Sequence, residues 1–208
     1  MIFQLDKKPV FPDPELAEPD GLLAIGGDLS VERLQNAYAQ GIFPWYSNKQ
    51  PILWYSPNER FVLYPYKLKI SKSMRKVLRS GQFKVTFNLD FAAVIRACAR
   101  VVRDGQRGTW ITNDMEKAYL KLHNIGKAHS IEVWEKEELV GGLYGVEVNR
   151  IFCGESMFSK VSNASKAALI ALCQQKEYEL IDCQMYTEHL ESLGAEMISR
   201  KKYQKFLV

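Results

Sequence analysis

Apolar and polar positions along the chain alternate between helical and extended spacing. The first clear pattern is a helix between Ser30 and Gly41. Ser30 is placed to cap it, Leu34, Ala37 and Tyr38 form an apolar stripe, and Gly41 ends it. Pro9, Pro12, Pro14, Pro19, Pro44, Pro51 and Pro57 surround it and predict turns in place of long regular elements. Residues 1–60 are therefore expected to form a small N-terminal domain packed on residues 61–208. A second helix is predicted from Ser71 to Ser80, closed by Gly81, with Met74, Val77 and Leu78 on its apolar face. FKVTF, from Phe83, reads as a strand, and Asp90–Val102 and Asn113–Ile125 read as helices. The latter opens on a capping-box-like Asn113 and Glu116 and stops at Gly126. Strands at His129–Trp134, Leu139–Val146 and Arg150–Gly154, joined by tight turns, predict an antiparallel meander. There follow a helix from Asn163 to Gln175, a strand at Leu180–Cys183, a short helix ending at Gly194, a strand at Ala195–Ile198 and a basic terminal helix capped by Ser199. Strands in a meander followed by helix, strand, helix and strand predict an α+β layered fold.

The 208 residues are 47% hydrophobic and 25% charged, values that exclude a disordered or collagen-like chain. The net charge of +4 is unevenly placed. Arg60, Lys67, Lys69, Lys72, Arg75, Lys76, Arg79 and Lys84 fall within residues 60–89, a stretch with no Asp or Glu, which leaves −4 for the remainder. One basic segment on an acidic body points to a polyanionic partner at one place. Within it, Lys72, Arg75, Lys76 and Arg79 occupy the polar face of the second helix. A solvated face usually mixes signs, so a phosphate-backbone contact competes with simple solvation. Cys98, Cys153, Cys173 and Cys183 sit in apolar or small-residue surroundings and form no C-x-x-C pair, as expected of buried thiols in a reducing cytosol. The three histidines lack metal-site spacing, so no metal is expected. No apolar run reaches membrane-spanning length and the N-terminus has no signal-like core; a soluble cytoplasmic protein is expected.

P-loop, dinucleotide-binding and nucleophile-elbow signatures are missing. The run GGLYG, Gly141–Gly145, is either a phosphate cradle or a place of close backbone approach. Two segments carry candidate chemistry. FCGESMFS, Phe152–Ser159, places Glu155 between Gly154 and Ser156 at a strand end. LIDCQ, Leu180–Gln184, alternates Asp182 and Gln184 with Ile181 and Cys183, so period 2 sets acid and amide on one side of a strand. Such a pair is either a structural hydrogen-bonded couple or functional. Trp45 in GIFPWYS and Trp110 in RGTWIT lie in loop-like surroundings, where a tryptophan either packs or stacks a nucleobase.

GLLAIGGDLS from Gly21, GIFPWYS, ILWYSPNER from Ile52, RGTWIT, HSIEVW from His129, LVGGLYGV, FCGESMFS, NASK from Asn163, LIDCQ and SLGAE from Ser192 occur in this order. Together they closely resemble the leucyl/phenylalanyl-tRNA–protein transferases, over Gly21 to Phe206. The resemblance implies a small N-terminal domain followed by a GCN5-related N-acyltransferase-like domain, with a mostly antiparallel mixed sheet flanked by helices. It implies transfer of Leu, Phe and, less well, Met from aminoacyl-tRNA to proteins that begin with Arg or Lys, creating an N-end-rule degradation signal, without a cofactor. Trp45 and Trp110 match tryptophans that hold the tRNA 3′-terminal adenosine. Leu143, Phe152, Met157, Leu172 and Ile181 match the pocket for the aminoacyl side chain. Glu155, Asp182 and Gln184 match polar residues at the reacting ester and acceptor amine, and the helix carrying Lys72, Arg75, Lys76 and Arg79 matches a tRNA-backbone contact. Two positions depart from the family pattern: Leu172 stands in place of Phe, and Thr187 in place of Asn at a polar contact.

The implied reaction is ester aminolysis by a neutral α-amine, with Asp182 orienting or deprotonating the amine, Gln184 fixing its direction and Glu155 contacting the acceptor terminus or the aminoacyl amine. Two rivals remain on the residues alone. An acetyl-CoA-dependent N-acetyltransferase would want a glycine-rich loop before the Asn163 helix, where SKVSN stands. A non-catalytic RNA-binding module would leave Glu155, Asp182 and Gln184 unexplained together. A monomer is expected, since no exposed apolar stripe asks for a partner.

Overall fold

The computed structural model describes residues 2–47, 50–101, 111–175 and 178–208. Trp110 and Val102, and part of the RGTWIT segment, lie outside the described residues. The proline-rich N-terminal stretch forms more regular structure than its turns predict. Strands β1 (Phe3–Leu5), β2 (Leu22–Gly26), β3 (Phe43–Pro44) and β4 (Leu53–Tyr55) pair in the order β1-β2-β4-β3. Between β2 and β3 lies α1 (Val31–Ala39), capped by Ser30, whose hydroxyl accepts from the Arg33 N–H.

A seven-stranded sheet follows, ordered β11-β5-β10-β9-β8-β7-β6. Its strands are β5 (Glu59–Leu63), β6 (Lys84–Phe87), β7 (Ala128–Glu135), β8 (Glu138–Val148), β9 (Ile151–Ser159), β10 (Leu180–Gln184) and β11 (Glu196–Ser199). Every neighbouring pair is antiparallel except β9 and β10. The helices are α2 (Lys72–Arg79), α3 (Phe91–Arg100), α4 (Asn113–Asn124), α5 (Ala164–Gln174), α6 (Glu188–Ser192) and α7 (Arg200–Gln204). One face of the sheet packs against α1, α3, α4 and α7 through Tyr38, Phe91, Tyr119, Tyr144, Cys153 and Tyr203. The other packs against α5 and α2 through Ala168, Leu169, Leu172, Leu143, Phe152 and Met74. This is the expected α+β class, with a mixed, mostly antiparallel sheet between helices.

Several boundaries differ from the sequence expectation. The cap of α4 is Thr112, whose hydroxyl accepts from the Met115 N–H, while Glu116 turns outward to Arg96 at 2.8 Å. Leu78 on α2 is 36% exposed, so Met74 and Val77 alone anchor that helix. The strand expected to end at Gly154 continues to Ser159 because β8 pairs along its whole length. Glycines make that close pairing possible. A methyl group on Gly145 would collide with the Cys153 carbonyl oxygen and stand 2.5 Å from the Phe152 ring. The GGLYG run therefore serves close approach by neighbouring backbone. Gly145→Ala is expected to destabilise the protein by about 2–3 kcal/mol, as overpacking at a site unable to relax. An unchanged urea midpoint would show that the β8–β9 pair can open to admit the methyl group.

Candidate active site

Two irregularities in the central strands build the site. Opposite β8, Tyr144 pairs with Ser156 and Gly145 with Gly154, leaving Glu155 as the extra residue of a β-bulge. Before the bulge Phe152 faces α5 and Cys153 faces α7, its Sγ 3.7 Å from Tyr203 Oη; after it Met157 faces α5 and Phe158 faces the opposite side. Strict period 2 would put Phe152 and Met157 on opposite faces. The bulge restores them to one wall and leaves Glu155 between the layers. The second irregularity is in β10, where the register against β5 slips between Asp182 and Gln184, and Gln184 has φ +60°. The simple alternation expected for Asp182 and Gln184 fails there. The Gln184 N–H turns back to Asp182 Oδ1 at 2.8 Å, while its carboxamide swings to Glu155.

The bulged Glu155 is 8% exposed. Its Oε1 accepts from Tyr38 Oη at 2.7 Å and Gln184 Nε2 at 2.8 Å, and its Oε2 accepts from Tyr119 Oη at 2.9 Å. Burial raises its carboxyl to about 7; the three hydrogen bonds pull the other way, and the charge of Asp182 adds to the rise. Asp182 has no exposed surface. Arg60 grips it, with Nε 3.0 Å from both oxygens and an Nη 3.0 Å from Oδ2, and Tyr203 Oη donates to Oδ2 at 2.9 Å. Arg60 belongs by sequence to the basic segment, but it is 2% exposed and neutralised by this ion pair.

A cavity of about 390 Å³ opens in front of these groups. Leu143, Phe152, Met157, Leu172 and Ile181 form its apolar wall, Glu155, Asp182 and Gln184 its polar side, and Trp45 and Thr187 its rim. Ten of the sequence candidates thus meet at one cavity. Trp45 is 39% exposed and sets its ring 5.7 Å from Tyr55. The hydroxyl of Thr187 caps α6 by accepting from the Leu190 N–H. Lys72, Arg75, Lys76 and Arg79 do not line the cavity; all four are exposed on α2. Sequence reasoning misses Tyr38 and Tyr119, which hold Glu155, and Arg60 and Tyr203, which hold Asp182. Tyr38 is visible in sequence only as part of an apolar stripe, and nothing local marks a tyrosine whose hydroxyl meets a residue more than a hundred positions away.

The model of the leucyl/phenylalanyl-tRNA protein transferase family matches residues 62–208, and that of its N-terminal domain matches residues 27–58. The chain belongs to this family. A leucyl/phenylalanyl-tRNA–protein transferase of Christiangramia forsetii is 57% identical over 95% of this chain and 96% of its own. That of Flavobacterium johnsoniae is 53% identical over 99% of both chains. Among solved structures, a GCN5-related N-acetyltransferase from Kribbella flavida aligns with 76% of this chain and 57% of its own, at 8% identity and a TM-score of 0.42. In a member of the transferase family, the cavity and its polar side form a candidate site for aminoacyl transfer. Among the described residues, no helix is long and apolar enough to cross a membrane.

Proposed function

We propose that this protein moves Leu, Phe and, less well, Met from aminoacyl-tRNA to the α-amino group of proteins that begin with Arg or Lys, marking them for N-end-rule degradation. The observation that carries this reading is the apolar cavity closed on one side by Glu155 and Gln184 and rimmed by Trp45. An aminoacyl side chain enters the Leu143, Phe152, Met157, Leu172 and Ile181 wall, and the ester then lies beside the polar pair. The ester is already activated, so holding the amine against it supplies much of the rate and no cofactor is needed. The attacking α-amine, with a reference value of ~7.7–8.0, is partly neutral at physiological pH. Gln184 directs the amine, and Glu155 meets the cationic acceptor. Asp182, enclosed by Arg60 and Tyr203, orients the site from behind. An apolar pocket separates side chains by only about 1–3 kcal/mol per methylene, which fits graded use of Leu, Phe and Met. Glu188 and Glu191 on α6, beside the rim residues Thr187, His189 and Leu190, add negative charge for an Arg or Lys acceptor. The protein acts as a cytoplasmic monomer.

The test is transfer of labelled Phe from Phe-tRNA to an Arg-terminal peptide. Label on the peptide supports the proposal. Turnover with acetyl-CoA instead, or tRNA binding without transfer, would favour the two rivals.

The tRNA backbone is assigned to α2, where Lys72, Arg75, Lys76 and Arg79 stand exposed on one helix. Each neutralised phosphate releases counterions. Replacing all four residues by Ala should therefore flatten the slope of log affinity against log salt, by roughly 0.7–0.9 for every phosphate no longer neutralised. A slope equal to that of wild type would remove α2 from the tRNA interface.

A further inference from the structure

Asp182 borders the cavity floor, yet its two oxygens are committed to the protein. Oδ1 accepts from Arg60 Nε and from the Gln184 N–H, and Oδ2 accepts from Arg60 and Tyr203. Arg60 is itself held between two rings, with its guanidinium carbon 4.7 Å from the Phe43 centroid and 4.6 Å from that of Tyr203. Phe43 lines the cavity two residues before Trp45. Tyr203 lies on α7, which is anchored where Arg200 donates to the Ser56 carbonyl at 2.8 Å. The C-terminal helix thus reaches the strand that carries Gln184.

A buried ion pair is weak evidence for stability, because well-packed apolar residues often serve as well or better. What this pair controls is geometry. Gln184 is a non-glycine residue in the left-handed region, a conformation that costs free energy unless its surroundings enforce it. The hydrogen bond from its N–H to Asp182 enforces that turn, and the turn delivers its carboxamide to Glu155. A relaxed, extended Gln184 would follow the strand and lose that direction.

We propose that Arg60 and Tyr203 are positioning residues for aminoacyl transfer: they fix Asp182, which holds the Gln184 turn and aims its carboxamide at Glu155 and the reacting ester. This inference rests on the function proposed above. Arg60 supplies a two-pronged grip that a lysine lacks. Tyr203 supplies the third donor and one of the rings that keep Arg60 flat.

The experiment measures Phe transfer from Phe-tRNA to an Arg-terminal peptide. Tyr203→Phe removes one oxygen and keeps the ring on Arg60. Its kcat should fall roughly tenfold, the effect of losing one hydrogen bond to a charged group, with KM for Phe-tRNA changed by less than about threefold. Arg60→Lys should show the same split. The decisive comparison is made in a Gln184→Ala background, where no carboxamide is left to aim. There Tyr203→Phe should lower kcat by less than about twofold more. Unchanged kcat in Tyr203→Phe would overturn the inference. So would multiplicative losses in the double variant, or loss of Phe-tRNA binding along with turnover, which would make these residues merely structural. If the wild-type protein transfers no Phe, the functional proposal fails and this inference falls with it. Normal wild-type transfer with an indifferent Tyr203→Phe defeats this inference alone.

Discussion

Asp182→Ala is expected to lower the unfolding free energy by about 3–5 kcal/mol, the cost of leaving a buried charge without its partner. Arg60 is 2% exposed and Asp182 fully buried, so in the intact protein the carboxylate, not water, neutralises the guanidinium. The two flanking rings stabilise the guanidinium but accept no hydrogen bond in its plane. Tyr203 Oη and the Gln184 N–H lose their acceptor as well, and each buried unpaired donor adds to the cost. If the effect comes from an orphaned charge, removing both charges together should relieve it. The double variant Arg60→Met/Asp182→Leu should then be more stable than Asp182→Ala, while turnover stays low because the Gln184 turn has no support. Urea denaturation checks both. A change under about 1 kcal/mol in Asp182→Ala, or a double variant no more stable than the single one, would show that Arg60 finds another partner.

Local chemistry makes much of this fold legible in sequence. Ser30 and Ser199 are caps as expected, because a cap depends on one hydroxyl and the N–H groups that follow it, and Ser71, expected only as the first residue of its helix, caps it in the same way. The hairpin turns at Lys136–Glu137 and at Asn149 are also where the polar breaks between apolar runs place them, with positive φ at all three residues. What escapes is non-local. The strand β5 reads as an undistinguished stretch, yet it sits between β10 and β11 in the sheet. The N-terminal sheet pairs strands of two to five residues, too short to show a period among prolines. The two bulges have no sequence period either, since a bulge is an exception to one. Glu155 and Gln184 stand out as chemically interesting, but alternation does not say that they meet. The same limit explains Arg60. Charge counting places it with the cations of α2, whereas long-range pairing with Asp182 withdraws it from the surface.

Glu155→Gln is the other large effect, and its pH dependence separates electrostatics from shape. Burial raises the Glu155 carboxyl from the usual 4.5 to about 7, so the folded protein favours the protonated form relative to the unfolded chain. That contribution to stability is complete below about pH 4.5 and is lost as pH rises through about 7; the gap corresponds to ~3 kcal/mol. Gln cannot ionise but keeps the shape and one carbonyl acceptor. The stability of wild type relative to the Gln variant should therefore decline between about pH 5 and pH 8, by an amount on the order of 3 kcal/mol. Activity should run in the opposite direction. Above about pH 7 the ionised Glu155 attracts a cationic acceptor, and its removal should reduce kcat/KM roughly 100-fold at pH 8. Two protons must leave before the wild-type reaction proceeds, one from Glu155 and one from the acceptor amine. Log kcat/KM should then rise with a slope near 2 between about pH 5 and pH 7 and near 1 between about pH 7 and pH 8. With Gln at 155 only the amine titrates, and the slope should be near 1 throughout that range. A Gln variant that keeps the steeper limb would assign it to another group and leave Glu155 with only a structural part in the site.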